Sequence, residues 1–247
     1  MDFFEEVILA VRNNNVKNKR ELQILKIILA KKYNMGDTPS DADVLEHAGG
    51  HKQEVRALLQ KKASRTLSGI AAVAVMTKPA PCPGNCIYCP GGVDNDSPQS
   101  YTGQEPAAMR GEQYNFEPYA QTARRIEQLE SIGHDVDKIE LILMGGTLLA
   151  QPKEYQEDFV KNCFDAMNGT KADSLKQSQK KNETAEHRCI GMTFETRPDY
   201  CKQEHIDSML RLGGTRVELG VQNPDDEIYN LVKRGHTVHD VVESTQL

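Results

Sequence analysis

Ile70-Ala71-Ala72-Val73-Ala74-Val75-Met76-Thr77-Lys78-Pro79-Ala80-Pro81-Cys82-Pro83-Gly84-Asn85-Cys86-Ile87-Tyr88-Cys89 decides both the fold and the place of its chemistry. The first seven residues are an uninterrupted apolar run, the pattern of a parallel strand buried on both faces. A loop carrying three cysteines follows its C-terminal end. Working outward, the grammar repeats. Ile139-Glu140-Leu141-Ile142-Leu143-Met144 leads into Gly145-Gly146-Thr147, and Ile190-Gly191-Met192-Thr193-Phe194 into Glu195-Thr196-Arg197-Pro198-Asp199. A fourth run, Arg216-Val217-Glu218-Leu219-Gly220-Val221-Gln222, ends on Gln222. Helical spacing fills the intervals near residues 117–132, 153–167, 203–212 and 225–233. Such alternation specifies parallel β/α units. In barrels and open α/β sheets alike, chemistry collects at the C-terminal ends of the strands, where each of these polar or glycine-rich motifs falls.

Cys82, Cys86 and Cys89 are spaced Cys-x3-Cys-x2-Cys. Iron–sulfur cubes in electron carriers are held by four cysteine thiolates, so three ligands leave one iron able to chelate the amino and carboxylate groups of S-adenosylmethionine (SAM). An electron passed into the sulfonium would cleave it to a 5′-deoxyadenosyl radical. A structural zinc site is the competing reading, as is a chance cluster of packed or disulfide-bonded cysteines. Zinc takes four ligands, usually as two pairs, and after Cys89 no His or Cys occurs until His134. Cys163, Cys189 and Cys201 read as small buried hydrophobes.

The 247 residues suffice for one large domain with a small appendage. No apolar run approaches the roughly 20 residues of a membrane span, and the start lacks the basic-then-apolar order of a secretory signal. A cytoplasmic protein without a membrane partner is expected, in a compartment that keeps thiols reduced. The net charge of −6 conceals an asymmetry: through Lys78 there are 13 Lys and Arg against 9 Asp and Glu, and beyond it 17 against 27. A basic front on an acidic chain suggests a nucleic-acid-facing segment or a solvated helix face.

That front reads as four helices. Phe3, Phe4, Val7, Ile8 and Val11 set the first and Leu22, Leu25, Ile28 and Leu29 the second. Ser40-Asp41-Ala42-Asp43 caps a third, ending near Gly49-Gly50, and Val55, Leu58 and Leu59 mark the fourth. Lys17, Lys19, Arg20, Lys31 and Lys32 are the candidate phosphate contacts; Lys26, Lys52, Arg56, Lys61 and Lys62 join them if they share a face. The polar stretch between Gly169 and His187 reads as an exposed insertion with some helical content.

At the strand ends, the backbone around Gly145, Gly146 and Thr147 is suited to a close-approaching amino group, although glycine pairs also serve simply as turns. Glu195 is suited to ribose hydroxyls and Arg197 to a carboxylate through its fork; a surface ion pair and a turn at Pro198 form the alternative. Gln222 reads as a cofactor contact or as a polar cap, and His236 as a structural loop histidine.

Taken together, Thr77-Lys78-Pro79-Ala80-Pro81-Cys82, Cys89-Pro90-Gly91-Gly92, Gln99-Ser100-Tyr101-Thr102-Gly103, Met144-Gly145-Gly146-Thr147, Glu195-Thr196-Arg197-Pro198-Asp199-Tyr200 and Arg234-Gly235-His236-Thr237 resemble the catalytic subunit of the Elongator complex in its archaeal form. The resemblance runs over nearly the whole chain. It implies a radical SAM enzyme that forms a carboxymethyl group at carbon 5 of the tRNA wobble uridine, with acetyl-CoA supplying the two-carbon unit. It further implies a 4Fe–4S cluster on Cys82, Cys86 and Cys89, with Tyr88 near the adenine and SAM held around Gly145, Gly146, Thr147, Glu195, Arg197 and Gln222. Lys78 would face acetyl-CoA or RNA phosphate, in a catalytic role.

The expected fold is therefore α/β: a partial parallel (β/α) radical SAM barrel over residues 67–247, preceded by a small basic helical tRNA-binding region over 1–66. The family barrel has six units, and this chain stops after about four, inside an uncapped helix near 238–245. It reads as an N-terminal fragment, with an acetyltransferase domain expected beyond Leu247 and no tRNA modification expected without it. A homodimer or Elongator-type subunits are the implied protein partners. Two other functions stay open: an RNA-binding scaffold with a structural cluster, and a radical SAM enzyme acting on a small metabolite.

Overall fold

Asp2 opens the first helix with a capping box, its carboxylate accepting from Glu5 N–H while Glu5 reaches back to the Asp2 amide. The computed structural model describes residues 1–247 and divides into two compact units. The first unit carries α1 (Phe3–Arg12), α2 (Lys19–Lys32), α3 (Asp41–His47) and α4 (Lys52–Leu59). The periodic residues Phe3, Val7, Val11, Leu22, Leu29, Val44, Leu45, Val55 and Leu59 close into one core. Ile28, expected among them, is 57% exposed, and Ile24 and Ile27 are exposed beside it. The unit runs to Ala71 and takes in Ile126–Val136. Arg56 donates to the Gly133 carbonyl, Lys61 N–H to the Ile132 carbonyl, and Gln60 and Thr66 meet His134 Nδ1. No periodicity in the sequence announces those contacts, so the boundary expected at 66 moves.

Unit two comprises Ala72–Arg125 and Asp137–Leu247. Its sheet is ordered β1 (Ala71–Met76), β2 (Lys138–Met144), β3 (Arg188–Thr196), β4 (Arg216–Leu219), with β2–β3 and β3–β4 parallel. The helices are α5 (Pro106–Gln113), the start of α6 (Pro118–Ser131, whose residues from Ile126 belong to the first unit), α7 (Lys153–Asn168), α8 (Leu175–Asn182), α9 (Gln203–Leu212), α10 (Asp226–Leu231) and α11 (Val238–Gln246). Val73, Val75, Ile139, Leu141, Met192 and Phe194 are buried, as continuous apolar strands require. β3 starts two residues earlier than expected, because the pairing skips Ile190 as a bulge. β4 stops at Leu219, so Gln222 lies three residues past the strand, with a positive φ of 67°.

α5 escaped the sequence reading because proline and glycine punctuate it. Pro106 sits in the first turn, where its missing N–H costs nothing. Gly111 faces Phe116 and Met76, with room for no side chain. α6 closes the sheet edge in an unusual way: Gln121, 0% exposed, accepts from Met76 N–H and donates to Met76 C=O, both at 2.9 Å. One side-chain amide thus stands in for a neighbouring strand.

The polar stretch expected to be exposed is docked. Within α8, Ser178 and Asn182 are buried. Ser178 donates to Asp165 of α7, and Asn182 bridges Asn168, the His187 carbonyl and Cys189 N–H. Lys161 pairs with the fully buried Asp165 at 2.6 Å. Polar bonds rather than apolar spacing hold this helix, which is why hydrophobic periodicity missed it.

Gln121→Leu leaves a buried backbone donor and acceptor unmatched at β1. It should destabilise the chain by about 3 kcal/mol in urea unfolding; a loss below about 1 kcal/mol would show that the Met76 groups find other partners.

Candidate functional site

The loop leaving β1 runs across the C-terminal ends of the other three strands and is fastened to each. On the β2 side, Cys89 Sγ donates to Gln99 Oε1 at 2.9 Å and accepts from Ser100 N–H at 3.3 Å. Gln99 in turn packs beside Gly146, where a Cβ would lie 3.1 Å from its own. On the β3 side, a methyl at Gly84 would collide with Arg197 Nη1. The glycine is what lets the loop backbone approach that guanidinium. On the β4 side, Arg234 Nη1 lies 3.5 Å from Cys86 Sγ and 3.4 Å from Tyr88 Oη, while its Nη2 donates to the Gly220 carbonyl at 2.5 Å. Ile87 N–H also donates to Val232 C=O at 3.1 Å.

These contacts enclose a cavity of about 400 Å³. Cys82, Cys86, Cys89 and Tyr88 line it, with Gly146, Thr147, Glu195, Arg197 and Gln222 from the strand ends. Gly145 does not. It turns the chain at φ 109° beneath the cavity, where Thr77 Oγ1 donates to its carbonyl at 2.6 Å. Lys78 is exposed and also absent from the lining; its ammonium sits 4.9 Å from the ring centre of Tyr155. Gln99, Ser100, Tyr101, Glu218, Gly220 and Arg234 line the cavity without having been given a role by the sequence. The motifs around Gln99 and Arg234 carried family resemblance but do not directly follow a strand, so strand-end reasoning passed over them.

Charges of both signs line the cavity. Arg197 is 5% exposed, and its Nε and Nη2 fork onto Asp199 at 2.9 Å. That corrects the expectation of a free fork: the bidentate face is taken, and only Nη1, buried and without a hydrogen-bond partner, is left. Burial opposes the cation, but Asp199 and the neighbouring Cys82 and Cys86 outweigh it. Arg234 is similarly buried. Glu195 accepts from Tyr101 Oη at 2.6 Å and lies in register with Glu218 on the neighbouring strand. Burial pushes the Glu195 carboxyl up, Tyr101 counteracts, and the Glu218 charge adds to the rise. Burial and then Glu195 push the Tyr101 phenol far above its ordinary value.

All six cysteines are free thiols. Burial pushes Cys163 up to about 12 and Cys189 up to about 11, so both are inert small hydrophobes, as expected. No three His, Cys, Asp or Glu side chains converge on a single metal ion; a cluster, by contrast, spreads its thiolate ligands over separate irons. The donor set fits such a group. Three thiols line the cavity, two buried arginines offset the charge that thiolates would bring, and the orphaned Arg197 Nη1 is a donor for an anionic ligand. The cations expected to meet RNA lie in the first unit. Lys17, Arg20 and Lys31 are exposed, whereas Lys19 pairs with Asp41 and Lys32 with Glu6, each at 2.7 Å. Lys26 is buried against Asp41, and Arg56 is held by Asp135 and Gly133. These two leave the expected basic track.

A family model described as the radical SAM superfamily matches residues 80–247. The chain is 50% identical over 98% of its length to a protein of Methanocaldococcus infernus named tRNA uridine(34) acetyltransferase, covering 47% of that protein. It is 43% identical over 98% of its length to Elongator complex protein 3 of Schizosaccharomyces pombe, covering 46% of it. A solved structure of archaeal Methanocaldococcus infernus Elp3 with an N-terminal deletion (1–46) matches with a TM-score of 0.59 and 49% identity, over 72% of this chain and 35% of that one. The chain spans about half the length of the relatives it matches. No helix is long and apolar enough to cross a membrane.

Because the Glu195 carboxyl is raised, the folded state holds its proton more tightly than the unfolded chain does, and stability falls as pH rises through that window. Glu195→Gln keeps an acceptor for Tyr101 without the charge. Its thermal midpoint should exceed that of the parent at neutral pH, and the gap should close as pH drops below the ordinary carboxylate range; a gap independent of pH would contradict the assignment.

Proposed function

Since the chain belongs to the radical SAM superfamily, we propose that Cys82, Cys86 and Cys89 hold a 4Fe–4S cluster and that SAM occupies the cavity beside it. The observation that carries this reading is the donor set: three thiols without a fourth, lining a cavity that Arg197, Arg234, Glu195 and Glu218 also line. When bound, the cluster supplies the electron that splits the sulfonium of SAM. The chain's own residues bind and orient. Arg197, steadied by Asp199, offers Nη1 to the carboxylate of SAM. Glu195 and Glu218 offer acceptors to ribose hydroxyls, with Tyr101 fixing the Glu195 rotamer. Gly146 and Thr147 present backbone groups to the amino end, over the turn made by Gly145. Tyr88 supplies a ring for the adenine, and Gln222 a polar contact at the rim.

The substrate side of the proposal follows the names of the relatives. We assign the chain to a tRNA-modifying enzyme acting on uridine 34, with acetyl-CoA as the source of the two-carbon unit and a carboxymethyl group at carbon 5 as the product. Lys78 is proposed to contact acetyl-CoA or phosphate at the rim. In the first unit, Lys17, Arg20 and Lys31 are the freest cations for tRNA phosphates, and Lys19 and Lys32 join only by leaving Asp41 and Glu6. Elongator-type subunits or a second copy are the proposed protein partners.

Anaerobic reconstitution tests the cofactor reading. About four irons per chain and reductive cleavage of SAM to 5′-deoxyadenosine are expected, both lost in Cys86→Ala. Bound zinc, or intact SAM beside a complete cluster, would leave an RNA-binding scaffold as the better description. Gly84→Ala should push the Arg197 guanidinium from its seat and weaken SAM binding about tenfold, the loss of one charge-assisted hydrogen bond.

For tRNA, the double variant Arg20→Gln, Lys31→Gln should reduce the slope of log affinity against log salt by about 2, one per phosphate contact. Lys180→Gln, on the other unit, should not. Equal slopes for parent and double variant would return Arg20 and Lys31 to an ordinary solvated face.

A further inference from the structure

Arg234 makes more hydrogen bonds than any other side chain lining the cavity, and the cofactor reading uses only its charge. It is 7% exposed. Its Nε donates to His236 Nε2 at 3.0 Å, Nη2 to the Gly220 carbonyl at the end of β4, and Nη1 points between Cys86 Sγ and Tyr88 Oη. His236 must therefore carry its proton on Nδ1 and act as the acceptor that orients the guanidinium. The backbone agrees: Arg234 N–H donates to Tyr229 C=O at 2.8 Å, and two residues earlier Val232 C=O takes the Ile87 amide of the cysteine loop. A methyl on Gly84 would also lie 3.1 Å from the Arg234 carbonyl oxygen. Segment 232–236 is thus a dock for the loop, and Arg234 is the buried charged side chain by which it reaches Cys86.

We propose that Arg234 is a positioning residue that anchors the cysteine loop to the end of β4 and places a fixed positive charge beside the Cys86 sulfur, tuning the electron affinity of the group held there. The anchoring half stands on the contacts above. The tuning half rests on the cluster reading, because a cation or hydrogen bond at a ligand sulfur favours the state that has gained an electron. Lysine could retain the charge but could not span Cys86, Tyr88 and Gly220 at once.

The test uses the parent chain, Arg234→Gln and Arg234→Lys, each with two measurements. In the metal-free protein, hydrogen exchange of peptides covering residues 82–92 should quicken about tenfold in both variants, with β2 (Lys138–Met144) unchanged as the control for folding. In anaerobically reconstituted protein, a redox titration followed by electron paramagnetic resonance should place Arg234→Gln lower in potential. A tenfold loss in the reduced-to-oxidised ratio corresponds to about 59 mV for one electron. Arg234→Lys should recover most of that shift. Loop exchange equal to the parent in a folded variant overturns the anchoring, and an unchanged potential in Arg234→Gln overturns the tuning. Where Arg234→Gln unfolds, seen as rapid exchange in β2, Arg234→Lys is read alone by the exchange criterion. Failure of the parent to take up iron would defeat the cluster reading, while the exchange measurement would still decide whether Arg234 anchors the loop.

Discussion

A single loop must be held against three strand ends, and most of the second unit can be understood as the means of holding it. The cysteine segment has no secondary structure of its own beyond turns, and its glycines and prolines cannot make a self-supporting element. Its position comes from Gln99 and Gly146 at β2, Arg197 behind Gly84 at β3, and Arg234 with the 232–236 backbone at β4. Because β1 delivers the loop and the other strands receive it, the strand order β1-β2-β3-β4 is itself a requirement of the site.

The same contacts polarise the cavity. Both buried guanidiniums lie against the cysteine loop, each tied to an acceptor that keeps it from folding away: Asp199 for Arg197, His236 and Gly220 for Arg234. The carboxylates Glu195 and Glu218 come from adjacent parallel strands in register, so the fold places like charges side by side. Tyr101 relieves part of that repulsion by donating to Glu195. A ligand with a negative group, a positive centre and hydroxyls would find each matched by a side chain of suitable sign.

In the helical unit the electrostatics are different in kind. Several lysines that look like one basic track in a list of residues are committed to internal ion pairs, and Lys26 is taken wholly into the interior by Asp41. Exposed pairs of this sort are worth little to stability, so Lys19 and Lys32 could exchange an acid for a phosphate at small cost. The buried Lys26 could not, since leaving Asp41 would strand a charge.

The alternation of strand and helix, the three thiols at the first strand end, and the motifs after β2 and β3 were legible in the chain alone, since apolar period and cysteine spacing are local properties. The four helices before β1 were legible for the same reason, by spacing and by the Ser40 cap. It took the folded chain to show that α8 is docked by Asp165, Ser178 and Asn182, that the fork of Arg197 is spent on Asp199, and that Arg234 reaches back across 148 residues to Cys86. Those are polar contacts between positions far apart in the chain. A hydrogen bond leaves no periodic trace in sequence, because its partners are chosen by where the folded backbone brings them.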